Sequence, residues 1–222
     1  MTPRRRWRML PALMAIALAA QPVAAVEPID LLFETPHMQG VRPGAALSYV
    51  HSREGAHPVL SPGFNQTIRM QTPAPDGGSE AIEVTMDAEG APRTLAPFVG
   101  VPGNPMLMVF LETVVSAVSK ATGGSPFYLR NRMREGLREG LSQQPMILSL
   151  GAARLPARLV SMRPFEGDKN AARLGAFQEL EMRFVVAEGA PGMLIAMTAA
   201  TAPVAEGETP VYVEEIRLDP TQ

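Results

Sequence analysis

The sequence contains no cysteine. That excludes a disulfide framework, a thiol nucleophile, thiolate metal sites and the cysteine that a lipid-anchored precursor needs at its cleavage point. The fold must hold together by its core alone. Lysine occurs only at Lys120 and Lys169, so nearly all positive charge is arginine. No internal repeat or low-complexity tract is present, and no G-x-S-x-G serine motif. The nearest fragment, Gly123-Gly124-Ser125-Pro126, places proline after the serine, where an oxyanion hole needs a backbone N–H.

What is present begins with Arg4, Arg5, Arg6 and Arg8 ahead of an apolar run of 12 residues, Met9 to Ala20. A membrane-spanning helix needs roughly 20. The run reads instead as a cleavable signal peptide over residues 1–25, with Val23-Ala24-Ala25 as the small-residue site before Val26. Without those four arginines the basic count falls from 20 to 16 against 22 acids, a net charge of about −6. An acidic chain argues against nucleic-acid binding, which needs a basic excess. The expectation is a periplasmic or secreted protein, soluble after cleavage and without a transmembrane span. Residues 26–222 are long enough for one domain with a sizeable core.

Three zones follow, with strands over 46–98, helices over 105–141 and strands over 146–218. Ala46 to Arg53 is strand-like. In Phe64 to Thr72, apolar Phe64, Ile68 and Met70 share one side with Gln66, against Asn65, Thr67, Arg69 and Gln71. After the turn residues Pro73 to Ser79, Ala81 to Asp87 alternates likewise, which predicts an antiparallel hairpin with one wet face. In the middle zone Asn104-Pro105 reads as a cap with proline at the first helical position, and Gly123-Gly124 as a stop. Between them Met106, Leu107, Phe110, Leu111, Val114, Ala117 and Val118 cover more than half the helical circumference, so that helix is core. Leu155 to Phe165, Phe177 to Glu188, Met193 to Thr201 and the closing VYVEEIRL read as strands. The order implies an α+β fold, a curved antiparallel sheet packed against a two-helix block.

The second helix, capped by Ser125 and started by Pro126, carries the chemistry of most interest. Leu129, Met133, Leu137 and Leu141 recur every four residues, and Arg130, Arg134 and Arg138 run beside them. Like charges at this spacing repel by a few tenths of a kcal/mol. Glu135 reaches Arg132 or Arg138, but Arg130 and Arg134 have no acid three or four positions away. They pair with sheet carboxylates such as Glu179 or Glu181, or they form an anion-facing ridge for phosphate, carboxylate or a membrane surface. Gly136 and Gly140 weaken this helix by roughly 1 kcal/mol each, or else permit close packing.

His37, His51 and His57 lie near Asp30, Glu34 and Glu54 in sequence. They match no compact helical metal pair, and read as surface residues or as a set converging on zinc. Carboxylate pairs of glycosidase type have separations that a sequence does not show. The Gly-rich stretches PDGGSE and EGAPGM lie between strands and are turn formers.

The export signal, the β-α-β order and Tyr128-Leu129-Arg130 after a Gly-Gly-Ser break resemble uncharacterised exported envelope proteins built on a half-barrel, similar in layout to lipoprotein carriers. The resemblance implies a concave apolar surface filled by helix and able to accept an acyl chain, and it transfers no catalytic residue. The reading is an envelope protein without catalytic activity, cofactor or metal, binding a lipid or other amphiphile, or a partner protein. Its candidate ligand-facing residues are Arg130, Arg134 and Arg138. The alternative is an envelope hydrolase using carboxylates or a His/carboxylate metal site.

Overall fold

The computed structural model describes residues 26–75, 80–88, 91–203 and 208–219; the expected signal peptide and part of the 73–79 turn lie outside them. Helix α1 (Pro28–Phe33) precedes strands β1 (Ala46–Glu54), β2 (Phe64–Gln71), β3 (Glu83–Ala88) and β4 (Ala91–Thr94). Helices α2 (Met106–Thr122) and α3 (Pro126–Glu139) follow. The chain continues through β5 (Ser142–Leu150), β6 (Ala153–Met162), the short α4 (Ala171–Leu174), a 3-10 turn (Gly175–Glu179), β7 (Glu181–Val186), β8 (Leu194–Ala200) and β9 (Val213–Leu218). The nine strands form one antiparallel sheet in the order β4-β3-β2-β1-β9-β8-β7-β6-β5, not closed into a barrel. This is the α+β class expected from the sequence.

Each half of the sheet is a meander of sequence neighbours, and the halves meet at one seam, β1 against β9, where Arg53 stands opposite Glu214 and His51 opposite Ile216. The α2–α3 pair links the two edge strands. Alternation places Leu47, Tyr49, Ile68, Met70, Val84, Met182, Phe184, Met197 and Ile216 inside, while Asn65, Thr67, Arg69, Arg183 and Arg217 face out. Nine strands laid flat would span about 40 Å at ~4.8 Å per strand, whereas α2 is about 25 Å long at ~1.5 Å per residue. Val84 on β3 and Val160 on β6 are nevertheless both fully buried. The sheet therefore curls around the helical block.

Every α2 residue expected in the core is buried there, and Phe110 meets Phe184 edge to face with centroids 6.0 Å apart. Asn104 fixes the start of this helix. Its Oδ1 accepts the Met106 N–H at 3.0 Å, and its Nδ2 donates to Tyr49 Oη and to Gly192 O, each at 2.9 Å. Gly192 has φ +68°, and a Cβ there would lie 2.8 Å from Leu47 Cδ1, so the turn reaches Asn104 only as glycine. On α3, a Cβ at Gly136 would stand 3.1 Å from Pro164 Cα and 3.3 Å from Met162 Sδ. The helix accepts that glycine for a close approach to the end of β6, while Gly140 lies just past the helix end.

Four local features differ from the expectations or were outside them. The segment opening at Pro28 is a helix, with Leu31 and Leu32 buried. Phe177, expected on a strand, sits in the 3-10 turn between His57 and Tyr212. Strands β4 and β5 were not expected. Each carries a proline, Pro92 and Pro145, which an edge strand tolerates because one side of its ladder is unpaired. Ser125 holds the N-cap position of α3, but its hydroxyl makes no capping hydrogen bond.

Asn104→Ala is expected to destabilise the fold by about 2–4 kcal/mol, since it removes a cap and strands the Met106 N–H and the Tyr49 hydroxyl in the core. Urea unfolding followed by circular dichroism checks this; an effect below about 0.5 kcal/mol, the level of ordinary surface substitutions, would show that the bonds carry no net stability.

Candidate functional site

The arginines of α3 border an open groove of about 430 Å³ between α1, α2 and α3. The floor is apolar. Ile29 and Phe33 come from α1, Met108, Leu111 and Val115 from α2, and Met133 and Leu137 from α3. These side chains lie together because α2 and α3 each turn an apolar stripe toward the core, and the stripes' margins meet where the helices touch. Met108 is 42% exposed, an apolar residue left on the solvent side of a core helix.

Arg130, Arg134 and Arg138 stand on the rim with Glu34 and Glu112. Arg130 has a partner: its Nε and Nη2 donate to the two carboxylate oxygens of Glu112 on α2, both at 2.8 Å. That hydrogen bond, with the guanidinium charge behind it, outweighs partial burial and lowers the Glu112 pKa. Among the described residues these arginines form no ion pair with Glu179 or Glu181, and Glu181 pairs with Arg183 at 2.7 Å. Arg134 donates to Asn131 Oδ1 at 3.0 Å. Among the described residues neither Arg134 nor Arg138 is in an ion pair, and Glu135 binds Arg132. Two guanidinium groups thus stand at the mouth of an apolar groove without a carboxylate.

The other residues singled out by the sequence serve the fold. Tyr128 bonds Asp168 at 2.5 Å, Leu129 is core, and Arg132 pairs with Asp168 at 3.0 Å, tying α3 to the loop after β6. The histidines do not converge. His37 accepts the Asn104 N–H at Nδ1 (3.0 Å) and so donates from Nε2 to Leu31 O (2.8 Å), holding α1 against the start of α2. Burial, partly opposed by the Leu31 bond, lowers its pKa. His57 accepts the Val59 N–H at 3.3 Å and packs on Phe177. Among the described residues no three His, Asp or Glu side chains are grouped to hold a metal ion.

His51 does meet an acid. Its Nε2 donates to Glu214 Oε1 at 2.9 Å, while Arg53 Nε (2.8 Å) and Tyr212 Oη (2.6 Å) donate to Oε2, and Gln66 bonds His51 Nδ1 at 3.0 Å. Glu214 is 0% and His51 1% exposed. Both oxygens of this buried carboxylate are hydrogen-bonded, so the cluster clasps the β1–β9 seam.

A larger hollow, about 640 Å³, lies beneath the β5–β6 hairpin, where Met146, Ile147, Pro156 and Ala157 face Leu31 and Val186. Neither hollow was legible in detail. The α1 residues Ile29 and Phe33 gave no periodic signal, and Glu112 showed only as a lone acid on an apolar helix.

No protein-family model matches this chain, and no curated protein matches it. Among solved structures it is similar to the crystal structure of lipoprotein LppX from Mycobacterium tuberculosis, over 78% of this chain and 84% of that one, at 6% identity and a TM-score of 0.31. Among the described residues no helix is long and apolar enough to cross a membrane.

Burial alone would raise the Glu214 pKa, but the His51 hydrogen bond and the Arg53 charge overcome it and lower the group from its ordinary 4.5 to about 2. A depressed carboxylate stabilises the fold fully above the unfolded pKa and loses that contribution as pH falls toward the folded one. Glu214→Ala is therefore expected to cost about 3–5 kcal/mol at neutral pH, the usual cost of removing one partner of a buried pair. The gap from wild type should narrow between about pH 4.5 and 2. Denaturation midpoints across that range test it, and a gap independent of pH would overturn the assignment.

Proposed function

We propose that the protein is an exported, non-catalytic envelope protein that holds an anionic amphiphile in the groove between α1, α2 and α3. The apolar chain lies on the floor formed by Met108, Leu111, Val115 and Leu137. The head group, a phosphate or carboxylate, sits at Arg134 and Arg138. The observation that carries this reading is the pair of guanidinium groups without carboxylates at the mouth of an apolar groove. Arginine's planar fork binds such anions bidentately.

The space between sheet and α2 is filled by Phe110, Phe184 and their neighbours. The reading therefore places the ligand outside the helical pair and not beneath it. Export rests on the signal peptide read in residues 1–25, and the lipoprotein-carrier layout remains part of the proposal. Catalysis is not proposed, because the His–Glu pair found among the described residues, His51 with Glu214, is sealed in the core.

Titration with dodecyl phosphate below its micelle concentration tests the groove. Arg134→Gln with Arg138→Gln is expected to weaken binding by at least about tenfold, since a hydrogen bond to a charged group is worth about 1.5–3 kcal/mol. Met108→Trp, which extends a half-exposed side chain over the floor, should weaken it without changing the unfolding midpoint. Binding unaffected by both changes would remove the groove as the site. A partner protein co-purifying from the envelope in place of any lipid would favour an assembly role.

A further inference from the structure

The outer side of the α2–α3 pair has a second peculiarity. Phe127 is 73% exposed at the corner where the chain enters α3. A single exposed aromatic is ordinary; its surroundings are not. At about 100° per residue, positions 127, 130, 134 and 138 fall within an arc of about 80°, so Phe127 shares one face with the arginine row. The exposed stripe of α2 beside it, Met108, Glu112, Ser116 and Lys120, adds another half-exposed apolar residue and another cation.

The charges on this face do not balance. Glu112 is taken by Arg130 and Glu135 by Arg132, which leaves Arg134, Arg138 and Lys120 against Glu34 at the groove rim and the exposed Glu139 at the end of α3. The whole chain has the opposite sign, with 22 acids against 20 bases. A cationic face on an acidic molecule orients it toward an anionic surface, and an aromatic ring in the plane of the cations supplies apolar area at the depth where head groups meet acyl chains.

We infer that the outer face of α2 and α3 docks on an anionic lipid bilayer, with Phe127 entering the boundary between head groups and acyl chains and Arg134 and Arg138 pairing with lipid phosphates. The helical pair then lies along the membrane. The groove, whose rim shares those two arginines, opens toward the bilayer. Docking stands on this face alone; loading an amphiphile from the bilayer into the groove rests in addition on the function proposed above.

The test uses the protein recovered from cells that export it, sedimented with vesicles of phosphatidylcholine alone and of phosphatidylcholine with phosphatidylglycerol. Binding is expected only to the anionic vesicles and should weaken with salt. Arg134→Gln with Arg138→Gln should reduce it about tenfold or more. Phe127→Ala should reduce it severalfold while leaving dodecyl phosphate binding intact, because Phe127 lies outside the groove. Phe127→Trp, which becomes the one tryptophan of the chain once residues 1–25 are cleaved, should restore binding and show a blue-shifted emission on anionic vesicles only. Equal binding to neutral vesicles, or wild-type sedimentation of either the double arginine variant or Phe127→Ala, overturns docking. Vesicle binding without dodecyl phosphate binding would instead keep docking and remove the amphiphile function.

Discussion

The structure depends on the enclosure of one apolar helix by an open sheet. With no cysteine to cross-link the chain, cohesion comes from wrapping nine strands around α2, whose apolar residues point to several sides at once. A sheet that curls this far needs strong twist and edges that do not recruit further strands. Pro92 and Pro145 meet the second need by interrupting the outer ladders. The interior is consequently packed, and surface available to a ligand is pushed to the seams between α2 and its two neighbouring helices.

Two polar clusters inside this core draw on the inner side of β1. Tyr49 serves the Asn104 hub at the start of α2, and His51 and Arg53 serve Glu214 across the seam. Both clusters are closely satisfied, as buried polar groups must be if they are not to cost stability. The contrast with Arg134 and Arg138 is what gives the groove its interest. The protein matches charge closely where water is excluded and, among the described residues, leaves Arg134 and Arg138 outside any ion pair at the groove.

The parts of this architecture written in local periodicity were legible in the sequence. Strands β2, β3 and β7 alternate cleanly enough to give the sheet, and the breadth of the apolar face of α2 announced its burial. Prolines hid β4 and β5, because a rule that disfavours proline in strands does not see that these are edges. Phe177 looked like strand because it is apolar; its neighbour Gly175, at φ +54°, bends the chain before the strand begins. For the candidate site, the helix pattern of α3 showed that Arg130 and Arg134 had no acid in their own helix. The partner of Arg130 stands 18 residues away on α2, a separation at which spacing carries no signal. The histidine near Glu54 in sequence met Glu214, 163 residues on.

The two-meander layout has a consequence for the order in which the chain gains structure. Strands β1–β4 pair with their neighbours as they emerge, and so do β5–β9, so each half assembles from short-range contacts. The join between them brings residues 49–54 against 213–218, the longest-range pairing in the sheet, and loop closure of that length is slow. Glu214 stands on the last of these strands, so it meets His51 and Arg53 only as this join forms. The buried charge cluster is therefore completed by the final pairing of the sheet, and the clasp and the closure of the fold are one event.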